Sequence, residues 1–305
     1  MRKLDLAVLL LAVGAVAGAA WWRFHVPTAT PPPAPWRCDS GKDARWDCFV
    51  SVPGGTFLMG AQATDAKDPG YDADASPNEG PPRIVSVAPF WIGRGEMSVG
   101  VFRECARAGK CDVADVATEG GYSTWLPLDA PDVPTSLSRP LNGVSWKGAR
   151  DTCAFLGGRL PTEAEWEFAA RGTDGRHWPW GNQPLCASPP KDDPFSRAQR
   201  DNKTCTQDGP WRMSDMPNPS PFGLVGMAGN LWEWVGDWYA PDGLPAAGSK
   251  DPSGPATGET RGQRGGSWTA SSPADLRVTV RGGLDPESKL NDVGFRCVFG
   301  GADVR

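Results

Sequence analysis

The sequence predicts a compact, irregular fold that mixes short strands with short helices and is stapled by disulfides. Three observations predict it. The 305 residues include 38 Gly and 31 Pro, which favour turns over long regular elements. They include 15 Trp, bulky aromatics able to organise a core with little regular scaffolding. They also include 8 Cys, an even number that in an exported chain argues for disulfides. The length allows one large domain or two small ones, and one main domain is expected. A net charge of −5 with both signs interspersed leaves no basic stripe for phosphates, so nucleic acid is not an expected partner.

The chain opens MRKLDLAVLLLAVGAVAGAAWWRFHV. Arg2 and Lys3 precede an apolar run from Leu6 to Ala20, and the small residues from Ala17 to Ala20 resemble a signal-peptidase site. Residues 1–22 therefore read as a signal peptide or, with Trp21 and Trp22 at the interface, as a retained membrane anchor. Either one places the domain outside the cytoplasm. Residues 23–37, with VPTATPPPAP, read as an extended Pro-rich linker, and residues 38–305 as the domain. Short loops make Cys38 with Cys48, and Cys105 with Cys111, attractive pairs. Cys186 with Cys205 would close the Pro- and Asp-rich insertion between them, leaving Cys153 for Cys297. That last loop is long enough for a bond worth roughly 4–5 kcal/mol in the chain-entropy account.

Within the domain, RCDSGKDARWDC forms a small lead-in. FVSVPGGTFLMG alternates apolar and small residues around a Gly-Gly turn, the pattern of a hairpin. Ala61 to Pro82 is acidic and turn-rich, with Asp65, Asp68, Asp72, Asp74 and Glu79. Its spacing lacks the signature of a helix-loop-helix calcium site, and a solvated surface loop is expected. IVSVAPFWIG returns to strand character. SVGVFRECARAGKC predicts a short helix capped by Ser98 and ended by Gly109. WKGARDTCAFLGG predicts another, with Ala149, Cys153 and Leu156 on one face. In RLPTEAEWEFAARG, Thr162 and Glu165 fit a capping box behind Pro161, and Trp166 and Phe168 are aromatic anchors. Trp178 to Pro221 reads as loop and GNLWEWVGDWY as strand. The tail RGGSW, LRVTVRGG and DVGFRCVFG reads as strands separated by turns.

Common catalytic signatures are scarce. There are 2 His; His25 lies beside the export segment, and His177 alone cannot build a His-clustered metal site. His177 reads as a structural or surface residue. No GxxxxGK(S/T) run is present to cradle phosphates.

Rare-residue strings in a fixed order are more specific. GGTFLMG, PLNGVSWKGARDTCAFLGGRLPTEAEWEFAARG, WPWGN, FGLVGMAGNLWEWVGDWY, RGGSW and VGFRC resemble the formylglycine-generating enzyme, or sulfatase-modifying factor, family, over about Phe49 to Val298. The resemblance implies a single α+β unit with low regular secondary structure, related to C-type-lectin-like folds. It also places Cys153 and Cys297 where the family has a structural disulfide. The family's oxidase holds copper(I) on a cysteine pair a few residues after Gly-Gly-Ser, because a soft cation needs thiolates. Here that segment is GGSWTASSPADLRVTVR, and no Cys occurs between Cys205 and Cys297. Copper is therefore not expected, and catalytic residues of that kind are absent. The iron-dependent sulfoxide synthases of the superfamily need a His-rich site that this chain also lacks.

By the same resemblance, a structural calcium ion would use Gly229, Leu231 and Glu233, although Gly226 stands where the family has Asn or Asp. A second calcium site maps to the region of Asn202 and Asp208; Asn202 also begins an NKT sequon. Trp232, Trp234, Trp238 and Trp268 read either as core or as the lining of a recognition groove. Core is the stronger expectation for Trp232 and Trp234. Trp268, Arg277 and Arg281 are the candidate groove residues, the arginines as planar donors to a carboxylate or backbone. The sequence thus points to an exported, non-catalytic binding module for a peptide, glycan or protein. The alternatives are a formylglycine-generating-type oxidoreductase or hydroxylase with a non-standard site, and an inert scaffold for an active enzyme.

Overall fold

A computed structural model describes residues 32, 37–38, 47–183, 209–216 and 219–301. The export segment, Cys186, Cys205, Asn202 and Asp208 lie outside the described residues. Among the described residues, nine strands form three small sheets: β1 (Phe49–Val52), β4 (Phe90–Gly93) and β9 (Val298–Gly300); β2 (Gly55–Met59) and β3 (Arg83–Val87); and β7 (Arg281–Leu284), β6 (Arg261–Arg264), β5 (Trp232–Trp238) and β8 (Val293–Phe295), in those orders. Pairing is antiparallel except between β5 and β8. The helices are α1 (Val99–Arg107), α2 (Pro134–Leu137), α3 (Trp146–Phe155) and α4 (Glu163–Arg171).

The Gly-Gly turn does not make a hairpin. β1 pairs with β4, and β2 with β3, so its two flanking strands belong to different sheets. Val52 pairs with Phe90 and Gly55 with Val87, so the two segments form one ribbon broken where Pro53-Gly54 faces Ala88-Pro89. Proline has no N–H to continue the ladder. Gly54 has φ +71°, and a Cβ there would lie 2.5 Å from the Val87 carbonyl oxygen; only glycine permits that crossing.

The helices start as their caps dictate. Ser98 Oγ accepts from Val101 N, Ser145 Oγ from Gly148 N, and Thr162 forms the capping box with Glu165. The first helix ends at Gly109, with φ +67°. Disulfides join Cys38 to Cys48, Cys105 to Cys111 and Cys153 to Cys297. The last of these ties α3 to the segment between β8 and β9 inside a core of Phe102, Leu141, Trp234 and Phe295. A second core packs Phe57, Val85, Trp166, Phe168 and Val235 around α4.

Every residue of α4 is buried, including Glu163, Glu165, Glu167 and Arg171. Each acid holds an arginine: Glu163 pairs with Arg281 at 2.5 Å and Arg264 at 3.3 Å, Glu165 with Arg159 at 2.6 Å, and Glu167 with Arg171 at 3.0 Å and with Arg264. Burial works to raise the Glu163 carboxyl, but the charges of Arg281 and Arg264 hold it below the usual carboxylate range.

Two further expectations need correction. The acidic segment is not wholly solvated: Asp65, Asp68 and Asp74 are exposed, but Asp72 and Glu79 are 6% and 2% exposed because both face Arg277. LRVTVRGG is not a continuous strand, since Val278 N donates to His177 O and Val280 N to Arg277 O. Those bonds turn the chain so that Val278 enters the core; strand structure begins only at Arg281.

Candidate functional site

The segment after β6 builds one wall of a groove of about 400 Å³. Gly265 (φ +97°) and Gly266 (φ +68°) permit the approach: a Cβ at Gly265 would lie 3.0 Å from the Trp166 ring, and one at Gly266 would lie 2.6 Å from Asp275 O. Beyond them, Ser267 Oγ donates to Asp292 at 3.0 Å and shares a 2.8 Å bond with Thr269 Oγ1. Ser271 N and Ser272 N donate to the Asp275 carboxylate at 2.9 Å. Asp275 and Ser272 form the capping box of the 3-10 turn Pro273–Leu276. Asp74, Asn78 and Trp232 line the same groove.

The candidate groove residues separate. Arg277 and Arg281 line the groove, but their N–H groups are spent within the chain. Arg277 donates to Glu79 at 2.6 and 2.8 Å, to Asp72 at 3.2 Å, and to the carbonyls of Asp74 and Ala274. Arg281 forks onto Glu163 at 2.7 and 2.5 Å and donates to Asn78 O and Ala240 O. Burial acts against the charge of both guanidiniums, and their carboxylate partners overcome it, raising both pKa values. Trp268 is 9% exposed. Its ring lies 4.8 Å from that of Tyr122, and its Nε1 donates to Asn291 O at 3.4 Å. Trp232 is the indole that lines the groove, while Trp234 is wholly buried with Nε1 donating to Val144 O. His177, half-buried, lies 3.5 Å from Asp72.

Sequence reasoning missed Glu79, Asp72, Asp292 and Asp275 as the groove's organising acids. Asp275 had a readable signal, Ser-x-x-Asp, the spacing of a capping box. The others meet their partners only through tertiary contacts.

Among the described residues, neither copper nor the calcium ion expected at Gly229, Leu231 and Glu233 fits the groups in place. Copper(I) would need thiolates, and the groove wall has none; all six described cysteines are in disulfides. At the loop carrying Gly229, Leu231 and Glu233, one Glu233 oxygen accepts Arg296 Nη2 at 2.6 Å. The other accepts Arg296 Nε at 2.6 Å and Trp166 Nε1 at 2.7 Å. Asn230 Nδ2 and Leu231 N both donate to the Glu96 carboxylate, at 2.6 and 3.2 Å. Burial, then the charge of Glu233, pushes the Glu96 carboxyl well up. Gly226 supplies no side-chain oxygen, and a Cβ there would lie 3.3 Å from the Glu96 carboxyl carbon. With its acid already occupied by Arg296 and Trp166, this loop falls short of the six to eight oxygens a calcium ion takes.

Residues 38–300 match the sulfatase-modifying factor enzyme 1-like domain family. The chain is 32% identical over 291 residues to the inactive C-alpha-formylglycine-generating enzyme 2 of Bos taurus, covering 83% of this chain and 88% of that one. It is also 32% identical over 285 residues to the formylglycine-generating enzyme of Streptomyces coelicolor, covering 81% and 88%. Among solved structures, PvdO from Pseudomonas aeruginosa superposes with a TM-score of 0.63 at 24% identity, covering 83% of this chain and 94% of that one. Treponema denticola variable protein 1 follows the same fold, with a TM-score of 0.56 at 22% identity over 83% and 94% of the two chains. The α+β fold, the family strings in order and the match across the domain lead to one conclusion: this chain belongs to the sulfatase-modifying factor enzyme 1-like domain family.

Proposed function

We propose that this chain is a non-catalytic member of its family that acts outside the cytoplasm as a binding module, taking a peptide, glycan or protein segment in the groove beside Trp232. The observation that carries the reading is the chemistry of the groove wall after Gly265 and Gly266. It presents the hydroxyls of Thr269 and Ser271 and the carboxylate of Asp275, faced by that of Asp74, with no sulfur. With Arg277 and Arg281 saturated from within, the exposed polar groups of this wall are mainly acceptors and hydroxyls. Such a surface suits a ligand rich in donors, such as sugar hydroxyls, peptide amides or an ammonium group, with an indole edge to pack against. The disulfides support an oxidising compartment, and the name of the bovine relative supports a role without oxidase chemistry.

Binding is tested by exposing the full domain to a glycan microarray and a random peptide library. Thr269→Arg fills the groove from its rim and Trp232→Ala removes the indole. Enriched ligands whose affinity falls at least about tenfold in Thr269→Arg support the reading. Unchanged binding in both folded variants, or turnover of a cysteine peptide, overturns it.

A further inference from the structure

A second cavity, of about 570 Å³, lies beside β5 and shares no lining residue with the groove. Its walls include the indoles of Trp146 and Trp238, the aliphatic Leu160 and Pro255, and the guanidiniums of Arg150 and Arg261. Its size is ordinary for a small-molecule site.

Arg261 is the unusual feature. Its guanidinium carbon sits 3.7 Å from the Trp146 ring centroid and 3.5 Å from that of Trp238, so indoles cover both faces. Among the described residues it makes one hydrogen bond, Nη1 to Gly236 O at 2.8 Å, and no ion pair; Nε is shielded from solvent without a partner. By contrast, the arginines buried among the described residues, at positions 103, 171, 264, 277, 281 and 296, each hold a carboxylate. The cavity's carboxylate, Asp237, is turned to other work, accepting Glu163 N at 2.8 Å and Gly254 N. Arg150, 5.4 Å from the Trp146 centroid, and Arg159 also line the cavity, but each has a carboxylate partner of its own, Asp151 and Glu165. Two stacked indoles stabilise a cation but leave its edge N–H groups in need of acceptors. With the faces closed, an acceptor can enter only in the guanidinium plane. That restriction favours a flat carboxylate, whose two oxygens match the fork, and the surrounding indole, Leu160 and Pro255 surfaces favour an apolar body behind it.

We propose that this cavity is a second ligand site, which binds a small carboxylate carried on an apolar ring or chain, with Arg261 as its receptor and Trp146 and Trp238 as its walls. The site stands apart from the groove, so it holds or fails independently of the binding-module reading.

The test is a titration of the full domain, labelled with ¹⁵N at tryptophan, with benzoate, its neutral isostere benzamide, inorganic phosphate and sulfate. The Trp146 and Trp238 indole signals are assigned by single Phe substitutions. Benzoate is expected to move both signals saturably, with a dissociation constant of about 1 mM, ordinary for a ligand of this size. Benzamide should bind at least about tenfold more weakly, and Arg261→Gln should weaken benzoate by a similar factor. Ala256→Trp, at the exposed rim, should block the cavity without touching Arg261, and serves if Arg261→Gln does not fold. The proposal is overturned if benzoate leaves both signals unmoved, if benzamide binds equally, or if Ala256→Trp has no effect. Phosphate or sulfate binding more tightly than benzoate would overturn the assignment to a carboxylate.

Discussion

The groove and the second cavity both draw on arginine, with opposite results. At the groove, Arg277 and Arg281 are 3% and 6% exposed and are neutralised by Glu79, Asp72 and Glu163. At the cavity, Arg261 is held by two indole faces and, among the described residues, by no carboxylate. The same side chain therefore acts as a structural tie in one place and as an unspent donor in the other. What decides is whether the chain supplies the counter-charge, and that is visible only once the acids have been placed.

The largest expected effect breaks the ties. Arg277→Ala strands the buried Glu79 carboxylate and should cost about 3–5 kcal/mol in a urea unfolding measurement. Arg261→Ala strands no acid and should cost about 1–2 kcal/mol, mainly its contacts with the indoles. Equal losses at the two positions would dissolve the comparison.

Asp237 sharpens it. Burial first, then the charge of Glu163, pushes its carboxyl up to about 7 against two backbone N–H bonds that pull it down. Between roughly pH 4 and 7 the folded chain then holds a proton that the unfolded chain has released. The stability this proton contributes is complete below about pH 4 and is lost as pH rises through 7. Relative to Asp237→Asn, the parent chain should lose on the order of 2–4 kcal/mol over that window. Parallel stability profiles for the two proteins would contradict the shift.

Smaller effects come last. Ser267→Ala removes one donor to Asp292 and should lower stability by about 1 kcal/mol, while leaving benzoate binding at the second cavity unchanged. Calcium at about 1 mM should leave the indole signal of Trp166, whose Nε1 donates to Glu233, in place, because the Glu233 loop lacks the oxygens the ion takes. A saturable shift of that signal would show that the Glu233–Arg296 pair opens to admit calcium.

Local structure was legible in the residues because its causes are local. Ser98, Thr162 with Glu165, and Gly109 announce helix ends through bonds made within a few positions, and the family strings supplied the architecture. The β1–β2 hairpin failed because Pro53 and Pro89 break the ladder at the same level, a coincidence of two distant segments. The segment after Gly266 lines a groove, but Glu79 reaches Arg277 across 198 positions, so neither the burial of the acidic loop nor the saturation of the arginines could be read from spacing. Trp238 and Arg261 stand out no more than their neighbours in the sequence; the stack forms only when β5 and β6 pair and α3 lays Trp146 over them.

The central proposal, that this family member does not carry out sulfur-based oxidation, is tested most directly by anaerobic copper(I) titration of the disulfide-intact domain, then exposure to air with a cysteine-containing peptide under mass spectrometry. The account predicts no tight stoichiometric copper and a peptide whose cysteine is not converted to the aldehyde. One equivalent of bound copper together with formylglycine in the peptide would contradict it.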